Sequence, residues 1–346
     1  MLAPPPLPRT LEASIRDLDS AKPEIRASAI ADLLRHATGD EAVRERAISL
    51  LQKRLDDDQS KVRAAAAVGL ADLSAKDSVP ALLRAVDDDD AYVRQMVLNT
   101  LGELGDVRAL PRLRRALTEQ RPEMRYQAII AFARIADDPE EIDRALLVAT
   151  NDDDDAVVHI ALRIAEERLD ADKPVDARLV TRAKALLAAS SPHLCLVAAI
   201  FLGKAGDDAG NALLLRVVRG DKIKGAVPEK EDERAAVELI GELGLADAEM
   251  HLVKRAWGIK HFVRDTCAFH AKIALARMGH SRATAEILAD LESTRPDVLG
   301  GAVVSAGRAR LVKARARLES LPAGAVDPKL LTEALARIAR EEGDTP

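Results

Sequence analysis

If this chain does chemistry, the stretch Met250–Arg282 is the first place to look. It holds the only tryptophan, Trp257, with Phe262, Phe269, Cys267 and the histidines His251, His261, His270 and His280. His261, Cys267 and His270 are residue types that ligate zinc. His261 lies nine residues from His270, however, and no fourth ligand stands at zinc spacing, so no metal is expected. The charges of the stretch are Lys254, Arg255, Lys260, Arg264, Lys272, Arg277 and Arg282 against Asp265 alone. Aromatic rings and arginine are the usual anchors of an interface. Lys254, Arg255, Trp257, Lys260, His261, Phe262 and Arg264 are therefore the candidate partner-binding set. The competing reading places the rings in the core and leaves the basic side chains in water.

Patterns that mark catalysis are missing. There is no Gly-x-Ser-x-Gly elbow, phosphate-binding loop, dinucleotide fingerprint or Cys-x-x-Cys pair, and no histidine is followed by glutamate. The expectation is a protein that is not an enzyme, with no catalytic residue and no cofactor.

Two other sets repeat along the chain. Acidic runs recur at Asp56–Asp58, Asp87–Asp90 and Asp152–Asp155. They are read as helix caps in preference to cation sites, since the calcium-loop glycine and distal glutamate are absent. Arginines recur at Arg26, Arg63, Arg94, Arg125 and Arg264.

These sets need elements to hold them, and the sequence supplies helices. In the stretch Asp87–Asp106, Val93, Met96, Val97, Leu101 and Leu104 fall at the spacing of one helix face. Acids precede that face and Gly105 follows it, where a left-handed terminal residue is wanted. The phrase returns. Val62-Arg63 leads to Leu70-Ala71-Asp72-Leu73, Val93-Arg94 to Leu101-Gly102-Glu103-Leu104, and Met124-Arg125 to Phe132-Ala133-Arg134-Ile135. The step from Arg63 to Arg94 is 31 residues, and from Arg94 to Arg125 it is 31 again. A fixed period of that size marks a stack of helical pairs.

An acidic turn, Val-Arg, small residues and Leu-Gly-x-Leu-Gly together resemble the short HEAT-like repeats named after phycobilisome lyases. The resemblance spans about residues 10–342 and is strongest over 40–140. It implies an all-α, right-handed α-solenoid of about ten HEAT-like helical pairs. It also implies that the repeated arginine bonds to the turn aspartate of a neighbouring repeat. Two alternative functions come with it. One is a phycobilin-type chromophore lyase. The other is a HEAT-like DNA glycosylase or nucleic-acid-binding protein, for which Trp257 and Asp265 would be the residues to inspect.

Composition narrows the choice. The net charge is −6 from 51 basic and 57 acidic residues, which argues against nucleic acid as partner. Aromatics make up 2% of the residues, so the core must be built from Ala, Leu, Val and Ile. Two cysteines in 346 residues suit reduced interior thiols. No apolar run reaches membrane-spanning length, and the proline-rich opening Met1–Thr10 is not expected to act as a signal peptide. The Ala/Arg/Asp-rich usage suits a bacterial genome of high GC content.

The expected organisation is a flexible proline-rich arm over 1–9, one continuous repeat array over 10–342 and a short tail over 343–346. An exposed, mobile loop over 219–231 breaks the period. In the eighth pair the second helix is expected over His261–Met278, and the glycines of the Leu-Gly-Glu-Leu-Gly phrases are read as helix ends. The function expected is a cytoplasmic scaffold or adaptor for protein–protein interaction, whose partner is another protein, acidic where it meets the C-terminal third, and not a membrane.

Overall fold

The computed structural model describes residues 9–260 and 263–343, and their side chains except at 259, 260, 263, 264 and 342. Among these residues twenty α-helices form ten successive pairs. The first five pairs are α1 (Leu11–Asp17) with α2 (Pro23–Ala37), α3 (Glu41–Arg54) with α4 (Ser60–Asp72), α5 (Val79–Ala85) with α6 (Ala91–Leu104), α7 (Leu110–Ala116) with α8 (Pro122–Ile135), and α9 (Pro139–Ala149) with α10 (Asp155–Asp170). The next five are α11 (Ala177–Leu186) with α12 (Pro192–Lys204), α13 (Asn211–Arg219) with α14 (Lys230–Glu242), α15 (Glu249–Trp257) with α16 (Ala268–Arg277), α17 (Ser281–Asp290) with α18 (Pro296–Arg308), and α19 (Arg315–Glu319) with α20 (Pro328–Gly343). None of the described helices is long and apolar enough to cross a membrane. The chain packs as two compact units, Met1–Ala165 and Glu166–Pro346.

In the first unit second helices of successive pairs pack on one another, α2 on α4, α4 on α6 and α6 on α8. Helix α6 shows why its sequence folds this way. The Asp90 carboxylate accepts from the amides of Tyr92 and Val93 at 2.9 and 3.2 Å and fixes the first turn. Val93, Val97, Leu101 and Leu104 then form the buried stripe. Gly105, at φ 64°, closes the helix in the left-handed region, with its amide donating to the Leu101 carbonyl. Thr100, fully buried, donates its hydroxyl to the Ala67 carbonyl at 3.1 Å and ties α6 to α4.

The second unit repeats the scheme, with α14 on α16 and α18 on α20. Cys195 and Cys267 are buried and unbridged.

Three local expectations are corrected. Helix α16 begins at Ala268 instead of His261. Between α15 and α16 the chain forms a short antiparallel ladder, β1 (Ile259–Lys260) with β2 (Val263–Arg264). β-Branched residues at 259 and 263 favour that extended pairing. Gly258 permits it, because a Cβ there would lie 2.1 Å from the Lys254 carbonyl oxygen. The stretch 219–231 is not a fully exposed loop. Ile223 is buried in the core, Ile223 and Ala226 form an isolated bridge, and the Lys224 ammonium donates to the Ala188 carbonyl at 3.3 Å. A single apolar side chain anchors an otherwise polar segment.

The third correction concerns the glycines. The second glycine of each phrase caps its helix, but the first does not end anything. Gly102 lies within α6, where a Cβ would come 2.9 Å from the Ala131 Cα of α8. Gly241 is the tighter case, with the corresponding Cβ 2.4 Å from the Ala274 Cα. These glycines are points of contact between successive second helices.

Candidate partner-binding site

The repeated arginines sit in the second turn of the second helices and share one geometry. Arg26 forks onto Asp57 at 2.9 and 2.6 Å, and also reaches Asp58. Arg63 forks onto Asp88 at 2.7 Å through both Nε and Nη2. Arg125 forks onto Asp152 at 2.7 and 2.6 Å and reaches Asp153 at 2.8 Å. In each case the remaining amine donates to a carbonyl six residues back, at Ser20, Asp57 and Glu119.

Arg94 differs. Its Nη1 donates to the carbonyls of Asp88 and Asp89 at 2.7 and 2.9 Å, but among the described residues its one carboxylate is Glu123 at 3.9 Å. The turn ahead of it reads Thr118-Glu119-Gln120-Arg121 and has no aspartate. Glu119, which stands one period beyond Asp88, turns to Arg112 instead at 2.8 Å. Arg264 belongs to the same series in sequence, but its side chain lies outside those described.

Within the acidic turns the carboxylates divide their labour. Asp57, Asp88 and Asp152 take the arginine and also accept the amide of the residue two further on. Burial pushes Asp88 up, but the Arg63 fork and the Asp90 amide bring it below the ordinary carboxylate range. Asp90 and Asp154 cap α6 and α10. These turns use their acids to link one repeat to the next.

A stability test follows from the best-formed rung. Arg63→Ala would strand Asp88, whose side chain is 10% exposed, and should cost about 2 kcal/mol, less than a dry pair because solvent reaches the rim. A double-mutant cycle with Asp88→Ala should recover part of that loss. Strict additivity in the denaturation midpoints would remove the rung from the account of the fold.

The candidate set from Met250–Arg282 is split by the structure. Arg255, expected on a partner-facing surface, is buried. It donates Nε to the Val218 carbonyl at 2.7 Å and Nη2 to the Val217 carbonyl at 2.8 Å, and pairs with Glu233 at 2.8 Å. It bonds carbonyls of the last turn of α13, sharing that of Val217 with the Gly220 amide, a need that sequence periodicity does not display. Asp265 is equally engaged: it accepts the Cys267 amide at 2.8 Å and lies 3.4 Å from Arg255. Burial pushes the Cys267 thiol up to about 11, away from the thiolate that nucleophiles and metal ligands use. His270 bonds to Glu238 at 2.5 Å, and Arg308 joins the same oxygen at 3.0 Å. His261 and Phe262 lie outside the described residues, as do the side chains of Lys260 and Arg264.

Lys254 and Trp257 remain, one helical turn apart on α15, with Lys254 exposed and Trp257 half-buried. Trp257 packs on the core of the second unit with one side. Its indole Nε1 donates to both oxygens of Glu286, at 2.9 and 3.1 Å. Arg282 stacks over the ring with its guanidinium carbon 4.2 Å from the centroid, and the His280 ring lies at 5.4 Å. Glu286 also takes Lys272 at 2.6 Å and Arg282 at 3.0 Å. The sequence placed Arg282 among the basic residues of the stretch but did not single it out. The i,i+4 spacing of Arg282 and Glu286 on α17 was the available signal.

Burial pushes Glu286 up, but the bonds from Lys272, Trp257 and Arg282 bring it from the ordinary 4.5 down to about 2. A carboxylate depressed on folding lends stability above its unfolded value and loses it as the pH falls through its folded one. Trp257 fluorescence should therefore hold steady from neutral pH to about 4.5 and change as the pH drops toward about 2. Glu286→Gln should flatten that step. If the step survives unchanged in the variant, it arises elsewhere.

In the first unit a cleft of about 210 Å³ opens between α7, α8 and α9, with Leu117, Phe132 and Val148 in its walls. Arg114 sits at its rim, 5.9 Å over the Phe132 ring and paired with Glu141 at 2.5 Å. Its volume is below the roughly 300–1,000 Å³ of most small-molecule sites.

Comparison with known proteins gives one family. The model described as HEAT repeats matches residues 11–94, 48–133 and 79–167. No curated protein matches the chain. Among solved structures, the complex of CpcE and CpcF of phycocyanin lyase from Nostoc sp. PCC7120 is similar at 20% identity and a TM-score of 0.43, over 73% of this chain and 96% of that one. Escherichia coli YibA is similar at 16% identity and a TM-score of 0.47, over 79% of this chain and 96% of that one. Importin beta is similar at 15% identity and a TM-score of 0.46, over 97% of this chain and 52% of its own. None of these structural likenesses bears on activity. The repeated helical pairs, the arginine–aspartate rungs and the family match agree over residues 11–167: that part of the chain is built of HEAT repeats.

Proposed function

We propose that the chain is a non-enzymatic, cytoplasmic scaffold or adaptor that holds another protein against its helical repeats. The supporting observation is where its ionisable groups are spent. Arg26, Arg63 and Arg125 bond to the carboxylates of the next repeat, and Arg255 bonds to a helix end. A fold whose polar groups brace a series of helices offers a rigid, extended surface, which is what macromolecular recognition uses. Affinity capture from the native cell after mild cross-linking tests this. A defined protein, recovered reproducibly and in stoichiometric amount, is the expected result. Recovery of no protein above the level of an unrelated bait would overturn it.

A further inference from the structure

We infer that α15 and α17 form a docking surface for an acidic, amphipathic segment of a partner protein, with the Arg282 guanidinium as its charged anchor. This rests on the scaffold reading and specifies its site. Arg282 is held in place twice, by the Trp257 ring beneath it and by Glu286 at its Nε. Its two terminal amino groups make no bond among the described residues, and its side chain is 60% exposed. A guanidinium held at its Nε and over a ring, with its terminal amino groups open, is preorganised for a carboxylate. Glu286 cannot satisfy that edge, because Trp257 and Lys272 already share its oxygens.

The surroundings set the rest of the chemistry. On α15, Met250, Lys254 and Trp257 fall at i, i+4 and i+7 and share one face. Met250 is 74% exposed, a large apolar group with nothing over it in the described chain. Lys254, also exposed, adds a second cation between the methionine and the stacked ring. The surface thus offers an apolar contact at one end, beside the exposed Glu249, an aromatic–arginine stack at the other, and the Lys254 ammonium between them. A helix carrying leucines on one stripe and glutamates beside it complements all three. Polyphosphate partners fit less well, since the apolar methionine would gain nothing from them.

Trp257 is the only tryptophan, so its fluorescence reports from within the site. The probe is a synthetic helix-forming peptide of Leu, Ala and Glu, labelled with fluorescein for a parallel anisotropy reading. Saturable binding that weakens with added salt is expected, together with no binding of the same peptide carrying Lys for Glu. Arg282→Gln should weaken the acidic peptide about tenfold or more while lowering the melting temperature only slightly, since its ion pair with Glu286 is largely exposed. Met250→Glu should weaken it too. Equal binding by Arg282→Gln and wild type, or tighter binding of duplex oligonucleotides or anionic vesicles than of the peptide, would overturn the site. If Arg282→Gln still captures the cellular partner as wild type does, the site falls and the scaffold stands. If the peptide binds as expected but no partner is captured from cells, the scaffold reading falls and the site stands.

Discussion

Leu101→Asp should unfold the first unit at a temperature about 10–20 °C below wild type. Leu101 is fully buried in α6, between α4 and α8. Removing its side chain alone costs about 2–5 kcal/mol through lost burial and the cavity left behind. The aspartate adds a carboxylate with no partner, which must be desolvated or protonated. Together these reach roughly 5 kcal/mol, and each kcal/mol moves the midpoint of a domain of this size by about 2–4 °C. The loss should exceed one helix, because α6 supplies a packing surface to the repeats on both sides. Circular dichroism checks this: the variant should lose helical signal well beyond the 14 residues of α6. A melt matching wild type within about a degree would show that Leu101 does not face the core.

That prediction could be made from the sequence, and the reason is periodicity. Of the expected stripe, Val93, Val97, Leu101 and Leu104 are buried, opened by Asp90 and closed by Gly105, while Met96 is only partly buried. Local signals of this kind are written in adjacent residues. The inter-repeat bonds were legible for a different reason, since the arginine and the aspartate recur together and the resemblance to HEAT-like repeats paired them. Arg94 is a correction to that series: the expected bond is to a turn aspartate, but the turn ahead of it has none.

The candidate site was less legible. Composition gathered Lys254, Arg255, Trp257 and Arg282 into one stretch, but it does not say which way a side chain turns. Arg255 and Lys254 are neighbours in sequence, one buried at a helix end and the other in solvent. Only the position of the α13 carbonyls separates them. Likewise, a glycine at a close approach and a glycine at a left-handed cap look identical in sequence, and Leu-Gly-Glu-Leu-Gly contains one of each.

The same two roles recur in Ile240-Gly241-Glu242-Leu243-Gly244, and they give the second large effect. Gly241→Val should destabilise the second unit by about 3 kcal/mol or more, the upper range for overpacking, because the clash is with backbone. A Cβ at 241 would sit 2.4 Å from the Ala274 Cα and 2.7 Å from both its Cβ and its carbonyl oxygen. No rotamer relieves that contact, so α14 and α16 must separate and give up buried area around Ile240, Ala271 and Leu275. Gly241→Ala should follow in the same direction with a smaller loss, part of which Ala274→Gly should restore by removing one of the crowding carbons. Gly244→Ala is the control. Gly244 has φ 62° and nothing within 4 Å of the added carbon, so its cost is backbone strain alone, about 1 kcal/mol. The sole tryptophan lies in this unit, so its fluorescence melt ranks the variants directly. The expected order of midpoints is wild type, Gly244→Ala, Gly241→Ala, then Gly241→Val. If Gly244→Ala melts below Gly241→Val, backbone conformation outweighs helix contact at this phrase, and the close approach of α14 to α16 is not what the glycine is for.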